Sequence, residues 1–136
     1  MSASALIIGA GSGLSAALAR RCRDAGMDVA LAARDGERAR TVAAETGATL
    51  HRCDASSIED VARLFTTLDA TTGTPELVVY NPSARLRGPI TELDPVATRA
   101  AIEVTFSAPF WWRSRPRGGC WSAGRGASSS PARRPV

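Results

Sequence analysis

Near its start the chain reads Ala5-Leu6-Ile7-Ile8-Gly9-Ala10-Gly11-Ser12-Gly13-Leu14, in which an apolar run meets a glycine-rich turn. A continuous apolar run of this kind is typical of a strand buried on both faces of a parallel sheet. From Gly13 to Ala25 the small and apolar residues recur at helical spacing, and Gly26 follows as a helix-ending residue. These residues therefore predict a strand, a tight turn and a helix, the opening unit of a βαβ fold.

The alternation of strand and helix continues up to residue 80. Apolar runs at 29–32 and 77–80 and a short segment at 48–52 predict three more strands, and the segments between them predict helices that end near Thr46 and before Gly73. A further helix is predicted over 95–106. Because connections this short permit only right-handed crossovers, the predicted fold is α/β: a Rossmann-type doubly wound parallel sheet, truncated after four of roughly six strands.

Charge is distributed unevenly along the 136 residues. Residues 1–110 hold 11 arginines and all 13 acidic residues, whereas residues 111–136 hold 6 arginines, no acidic residue and no helix or strand period. We therefore expect a folded domain over 1–110 and a basic, disordered tail over 111–136. The charge balance of the folded part makes nucleic-acid binding unfavourable, and no apolar run is long enough to span a membrane. An odd number of cysteines without a signal peptide predicts a cytoplasmic protein.

The glycine-rich turn is the first candidate site. Glycines let a backbone approach a pyrophosphate closely, and the N–H groups at a helix start stabilise its negative charge. Glycine also serves tight turns for structure alone, but the βαβ context favours dinucleotide binding. The predicted cofactor-binding residues of this turn are Gly9, Gly11, Ser12, Gly13 and Leu14.

Two polar residues follow the second and third predicted strands. Arg34 stands where an arginine binds the 2′-phosphate of NADP, which favours NADP and leaves NAD as the alternative cofactor. A solvated arginine beside Asp35 is the structural alternative. Asp54 either accepts a hydrogen bond from the adenine amino group or caps the following turn, and the sequence leaves both open.

Several ordered motifs resemble the N-terminal half of the short-chain dehydrogenase/reductase family, from about residue 4 to residue 110. They are Gly9 to Gly13, Ala33-Arg34-Asp35, Cys53-Asp54 and Tyr80-Asn81-Pro82-Ser83-Ala84. The resemblance implies an NAD(P)-dependent oxidoreductase whose full-length relatives act on a small carbonyl or alcohol substrate. It also implies that Asp54 contacts adenine and that Asn81 steadies the central strand beside the nicotinamide.

The chain departs from this family at several positions. Ile8 replaces the usual threonine, Ser15 replaces the third glycine, and Thr105 falls where the family commonly has a helix asparagine. The family's reaction requires a tyrosine and a lysine, yet Tyr80 is the only tyrosine and lysine is absent. We therefore assign no catalytic residue and no metal site, and expect the chain to be inactive as it stands.

Two other functions compete with the oxidoreductase interpretation. One is a non-catalytic dinucleotide-binding or sensor module. The other, ranked last, is a nucleic-acid binder in which Trp111, Trp112 and Trp121 stack on bases among the arginines of the tail. The fourth strand is also expected to leave an apolar sheet edge open to self-association.

The tail generates a prediction about the gene: residues 111–136 arise from a frameshift near codon 110. Consider the shifted frame that reads the third base of each codon together with the first two bases of the next codon. In that frame, TCN codons for Ser128, Ser129 and Ser130 would encode apolar residues. Such residues would form a buried strand where the sheet lacks its fifth. The nucleotide sequence after codon 110 checks this; stop codons in that frame would contradict it and favour a natural low-complexity tail.

Overall fold

The computed structural model describes residues 2–113, which form a four-stranded parallel sheet between helices. The strands are β1 (Ser4–Ile8), β2 (Asp28–Ala33), β3 (Thr49–Arg52) and β4 (Leu77–Tyr80). Their order is β3-β2-β1-β4, so β1 is central and its Leu6 lies between Ala30 and Val78. The predicted Rossmann-type fold is confirmed, because 3-2-1-4 is the order of the first four strands in such a sheet.

The second, third and fourth helices begin at side-chain caps, and a glycine follows each of the first three helices within two residues. They are α1 (Leu14–Asp24), α2 (Gly36–Thr46), α3 (Ile58–Thr71), α4 (Pro95–Ile102) and α5 (Ala108–Arg113), with a π-helical turn (Glu103–Ser107) joining the last two. Ser57 Oγ accepts from Asp60 N at 3.2 Å at the start of α3. Gly47 follows α2 with φ +67°, a conformation that suits glycine.

Each face of the sheet buries its own apolar core. Alternate residues of β1 point to opposite faces, so Ile7 packs in the core that holds α1 and α2, and Ile8 packs in the core that holds α3 and α5. This two-sided burial explains why the strands read as continuous apolar runs. Within residues 2–113, no helix is long and apolar enough to cross a membrane.

The last helix differs from the sequence prediction. The helical period was expected to end at Phe106 and the folded part at residue 110, but the chain stays helical through Arg113. Ala108 and Trp112, spaced i and i+4, are both fully buried, and this packing stabilises a segment too short to show a period. Trp112 therefore does not lie in an exposed tail and offers no stacking platform. The predicted disorder of the tail concerns residues 114–136, which lie outside the described residues.

In the described part of the chain, β4 pairs only with β1 and leaves its other edge open. Self-association through this edge stays a prediction, which sedimentation over a range of protein concentrations would test.

Gly9 brings the first turn into close contact with the segment that follows β4. A Cβ built on Gly9 would lie 2.7 Å from Pro82 N and 2.9 Å from the Asn81 carbonyl carbon, and its φ is +79°. Both the steric limit and the backbone conformation therefore require glycine at this position. Gly11, two residues later, has no heavy atom within 4 Å of its hypothetical Cβ.

We expect Gly9→Ala to lower the free energy of unfolding by about 2–4 kcal/mol, because the new methyl group meets backbone atoms that cannot move away cheaply. Urea denaturation measures this loss. Gly11→Ala is the matched control and should change stability by less than about 0.5 kcal/mol. Equal stability of the two variants would contradict the steric argument.

Candidate functional site

A cleft of about 500 Å³ lies where the carboxyl ends of the strands meet the start of α1. Residues at or just after the ends of all four strands contribute to it, together with one residue of α2 and one of the π-helical turn. They are Ile8, Gly9, Ala10, Gly11, Ala33, Arg34, Asp35, Arg38, Cys53, Asp54, Ala55, Asn81, Pro82, Ser83, Ala84 and Val104. The sheet order brings five of the eight residues predicted from the sequence to this cleft, namely Gly9, Gly11, Arg34, Asp54 and Asn81. Ser12, Gly13 and Leu14 do not line it and instead form the exposed entry to α1.

The backbone N–H groups of the glycine-rich turn fall into two sets: one set donates to β2, and the other has no acceptor among the described residues. The N–H groups of Gly9 and Ala10 both donate to the Ala32 carbonyl, at 2.9 and 3.2 Å, and so anchor the turn to β2. Within residues 2–113, the N–H groups of the next four residues have no acceptor; these residues are Gly11, Ser12, Gly13 and Leu14. Four unsatisfied donors at the start of a helix suit an anion.

Ser15, which the sequence presents only as a departure from glycine, links the turn to β4. Its Oγ donates to the Gly9 carbonyl at 3.1 Å and accepts from Asn81 Nδ2 at 3.0 Å. The Asn81 N–H also donates to the Ile8 carbonyl. Ser15 is only 2% exposed, so this chain of bonds is shielded from water. Asn81 thus links the end of β4 to β1 and to the glycine-rich turn, and its role beside the nicotinamide stays a prediction.

Asp54 and Arg34 both line the cleft. The Oδ1 atom of Asp54 accepts from the side chain and the backbone N–H of Ser56, at 2.7 and 2.9 Å. These two bonds lower the pKa of Asp54, and the positive charge of Arg34 lowers it further. The turn-capping alternative is therefore present in the structure. The other carboxylate oxygen accepts no bond from the described residues, so the adenine contact stays a prediction.

Three cleft residues were missed by sequence reasoning. Arg38 lies four residues after Arg34, in the first turn of α2, and this closeness in sequence could have signalled a second arginine at the cleft. Val104 reaches the cleft from the π-helical turn, which no local pattern announces. Cys53 is buried at the cleft wall, and burial together with the charge of Asp60 raises its pKa to about 12, so its thiol stays protonated.

The only tyrosine in the sequence is committed to a structural bond. Tyr80 Oη donates to the Val104 carbonyl at 2.6 Å, and burial raises the pKa of Tyr80 to about 12. A neutral phenol whose O–H already donates a hydrogen bond to a backbone carbonyl is poorly suited to proton transfer near neutral pH. His51 lies on β3 and does not line the cleft; burial lowers its pKa. Residues 2–113 contain no group of side chains that could hold a metal ion.

The chain matches a family model described as short chain dehydrogenase over residues 3–114. A metagenomic short-chain oxidoreductase solved in complex with NADP is 31% identical, with a TM-score of 0.77, and the match covers 82% of this chain and 53% of that one. A variant of the actinorhodin polyketide ketoreductase solved with NADPH is 26% identical, with a TM-score of 0.78. The match covers 83% of this chain and 45% of the ketoreductase chain.

A more distant structure shows the fold alone. The short-chain dehydrogenase/reductase of glucose/ribitol dehydrogenase type from Brucella melitensis is 20% identical, has a TM-score of 0.77, and the match covers 84% of this chain and 50% of that one. No curated protein matches the sequence. The chain spans about half the length of the solved structures it matches.

Since Tyr80 is the only tyrosine, its ionisation can be followed directly by ultraviolet absorbance. We expect a titration midpoint near pH 12 in the folded chain, against about 10 for an unperturbed phenol. Because the folded state holds the proton more tightly, stability is complete below about pH 10 and falls as the pH rises further. Tyr80→Phe should remove the absorbance change. A midpoint near 10 in the folded chain would contradict the buried, bonded phenol.

Proposed function

Because this chain belongs to the short-chain dehydrogenase family, we propose that its cleft binds the dinucleotide NADP(H). The pyrophosphate would lie at the free N–H groups from Gly11 to Leu14, and the adenosine end would lie between Arg34 and Asp54. NADP(H) supplies a hydride when bound. The chain's own residues supply charge and hydrogen bonds that hold it.

The arrangement of donors and charges is the observation that carries this proposal. The cleft contains a free carboxylate oxygen and two arginines, and its volume of about 500 Å³ lies in the range of small-molecule sites. The unsatisfied N–H of Gly11 lies at its lining, and those of Ser12, Gly13 and Leu14 continue from there along the exposed entry to α1. Gly11 leaves open space where a Cβ would stand, which allows a ligand close to the backbone. In NADP(H) the pyrophosphate matches the N–H groups, the adenosine matches the carboxylate oxygen of Asp54, and the 2′-phosphate matches the two arginines.

Arginines determine the proposed preference for NADP(H) over NAD(H). Arg34 follows β2 and Arg38 lies on the first turns of α2, and both line the cleft with exposed side chains. A guanidinium binds a phosphate through paired, charge-assisted hydrogen bonds, whereas a ribose 2′-OH is preferred by a carboxylate. The neighbouring carboxylate of Asp35 cannot use both of its oxygens to bind the ribose hydroxyls. Its Oδ1 already accepts a hydrogen bond from the Glu37 N–H at 3.1 Å and so caps α2.

A non-catalytic binding or sensor module is the second candidate. The commitment of the Tyr80 hydroxyl to Val104 favours it, because the sequence contains no other tyrosine and no lysine. Both candidates require the same dinucleotide site, and they differ only in whether a bound cofactor reacts.

We expect Arg34→Asp to weaken NADPH binding about 10- to 100-fold, since it removes charge-assisted bonds to the 2′-phosphate and adds a repelling charge. NADH binding should become the stronger of the two. Calorimetric titration with both cofactors measures the change. Arg21→Asp is the matched control because Arg21 is exposed near the far end of α1, away from the cleft. Unchanged affinities in Arg34→Asp would remove this residue from the site.

We also expect no hydride transfer between NADPH and a panel of aldehydes and ketones above the rate without protein. An alkoxide forming on the substrate has no positioned proton donor here, and such donation contributes about 10²- to 10⁴-fold. The loss of NADPH absorbance over time measures the rate. Turnover that persists in Tyr80→Phe would show that a different group donates the proton and would reject the binding-module alternative.

A further inference from the structure

Trp112 is a buried tryptophan that touches the wall of the cleft from behind. It is 0% exposed, and its Nε1 donates to the Ala55 carbonyl at 3.1 Å. Its ring meets Phe65 edge-on, with centroids 5.6 Å apart, and meets Tyr80 edge-on at 6.0 Å. The indole is therefore fixed both by a hydrogen bond and by aromatic packing.

Ala55 connects this buried indole to the candidate adenosine site. It is itself buried, lines the cleft and directly follows Asp54. The peptide group whose carbonyl accepts from Trp112 therefore lies in the same short loop as the Asp54 carboxylate. Other bonds hold this loop from the α3 side, where the Asp54 N–H donates to Asp60 Oδ2 at 3.0 Å.

Tyr80 extends the same contact to the opposite wall. The Tyr80 ring packs on Trp112, and its hydroxyl holds the Val104 carbonyl in the π-helical turn. Val104 and Ala55 both line the cleft. The indole thus supports both the loop after β3 and the turn before α5, although it lies outside the cleft.

We propose that Trp112 is a positioning residue for the adenosine end of the dinucleotide site, acting through the Ala55 carbonyl on the orientation of Asp54. This inference rests on the proposed function of the cleft. If the buried Ala55 carbonyl loses the indole donor, it turns toward another partner, and the short loop that holds Asp54 turns with it. The Asp54 carboxylate then loses its fixed direction toward the adenine.

The first test compares the binding of NADPH and of adenosine 2′,5′-bisphosphate to the full chain and to Trp112→Phe. Phenylalanine keeps a ring for the aromatic packing and removes the N–H. We expect both ligands to bind about 3- to 10-fold more weakly, the effect of losing one oriented hydrogen bond. Phe110→Leu is the control, because Phe110 lies on the same helix with 61% of its surface exposed, and its affinities should stay within about twofold.

The second test introduces Trp112→Phe into a chain that already carries Asp54→Asn. It separates a positioning role of Trp112 from a general loss of stability. In Asp54→Asn one oxygen can still accept from Ser56, while the other acceptor is replaced by an amide donor. If Trp112 acts through Asp54, adding Trp112→Phe to Asp54→Asn should weaken binding by less than about twofold further. An equal loss in both backgrounds, or no loss in the folded single variant, would overturn the proposal.

A measurement on the unsubstituted chain removes the dependence on folding of the variant. The indole N–H resonance of Trp112, assigned with Trp111→Phe and Trp121→Phe, should shift when adenosine 2′,5′-bisphosphate saturates the chain. A bound ligand without any shift would overturn the positioning role alone. Failure of the unsubstituted chain to bind either ligand would instead overturn the proposed function on which it rests.

Discussion

The close approach of Gly9 to the backbone of Asn81 and Pro82 is the constraint on which the rest of the site depends. It brings the turn after β1 against the segment after β4, at the edge of the sheet where the carboxyl ends of the strands meet. Ser15 then bridges the two segments with hydrogen bonds to the Gly9 carbonyl and to Asn81. Because Gly9 and Ala10 are held by the Ala32 carbonyl as well, the turn is fixed from both neighbouring strands. Only a turn held so firmly can present its remaining N–H groups to a ligand at a constant angle.

The strand order converts this local constraint into a site. Central β1 is flanked by β2 and β4, and β3 lies beyond β2, so Arg34, Asp54 and Asn81 come to one edge although they are far apart in sequence. The hydrogen bonds from Ser56 lower the pKa of Asp54, and the positive charge of Arg34 lowers it further, so the ionised carboxylate is favoured. A cleft with an ionised acceptor at one wall and free donors at the helix start favours a ligand with both an amino group and phosphates.

The elements that the sequence predicted correctly are those whose signals are local. Buried strands read as apolar runs, and helix starts and ends read as caps and glycines, so the sequence predicts the sheet and five of the residues that line the cleft. Arg38 was missed although it lies only four residues after Arg34. Ser15 and Val104 were missed because their roles depend on partners distant in sequence, Asn81 and Tyr80. Trp112 was misplaced for the same reason, since six residues of α5 carry no readable period and the indole is buried only by α3 and the sheet.

The aromatic residues behind the cleft support its shape instead of its chemistry. In the π-helical turn the Val104 carbonyl accepts a hydrogen bond from the Tyr80 hydroxyl. The same ring packs against Trp112, whose N–H satisfies the Ala55 carbonyl. Each polar tip of these large side chains therefore serves a buried backbone acceptor that would otherwise cost free energy. Releasing the phenol for proton transfer would leave the Val104 carbonyl unsatisfied and loosen the wall that the phenol supports, so binding and proton donation compete for one hydroxyl group.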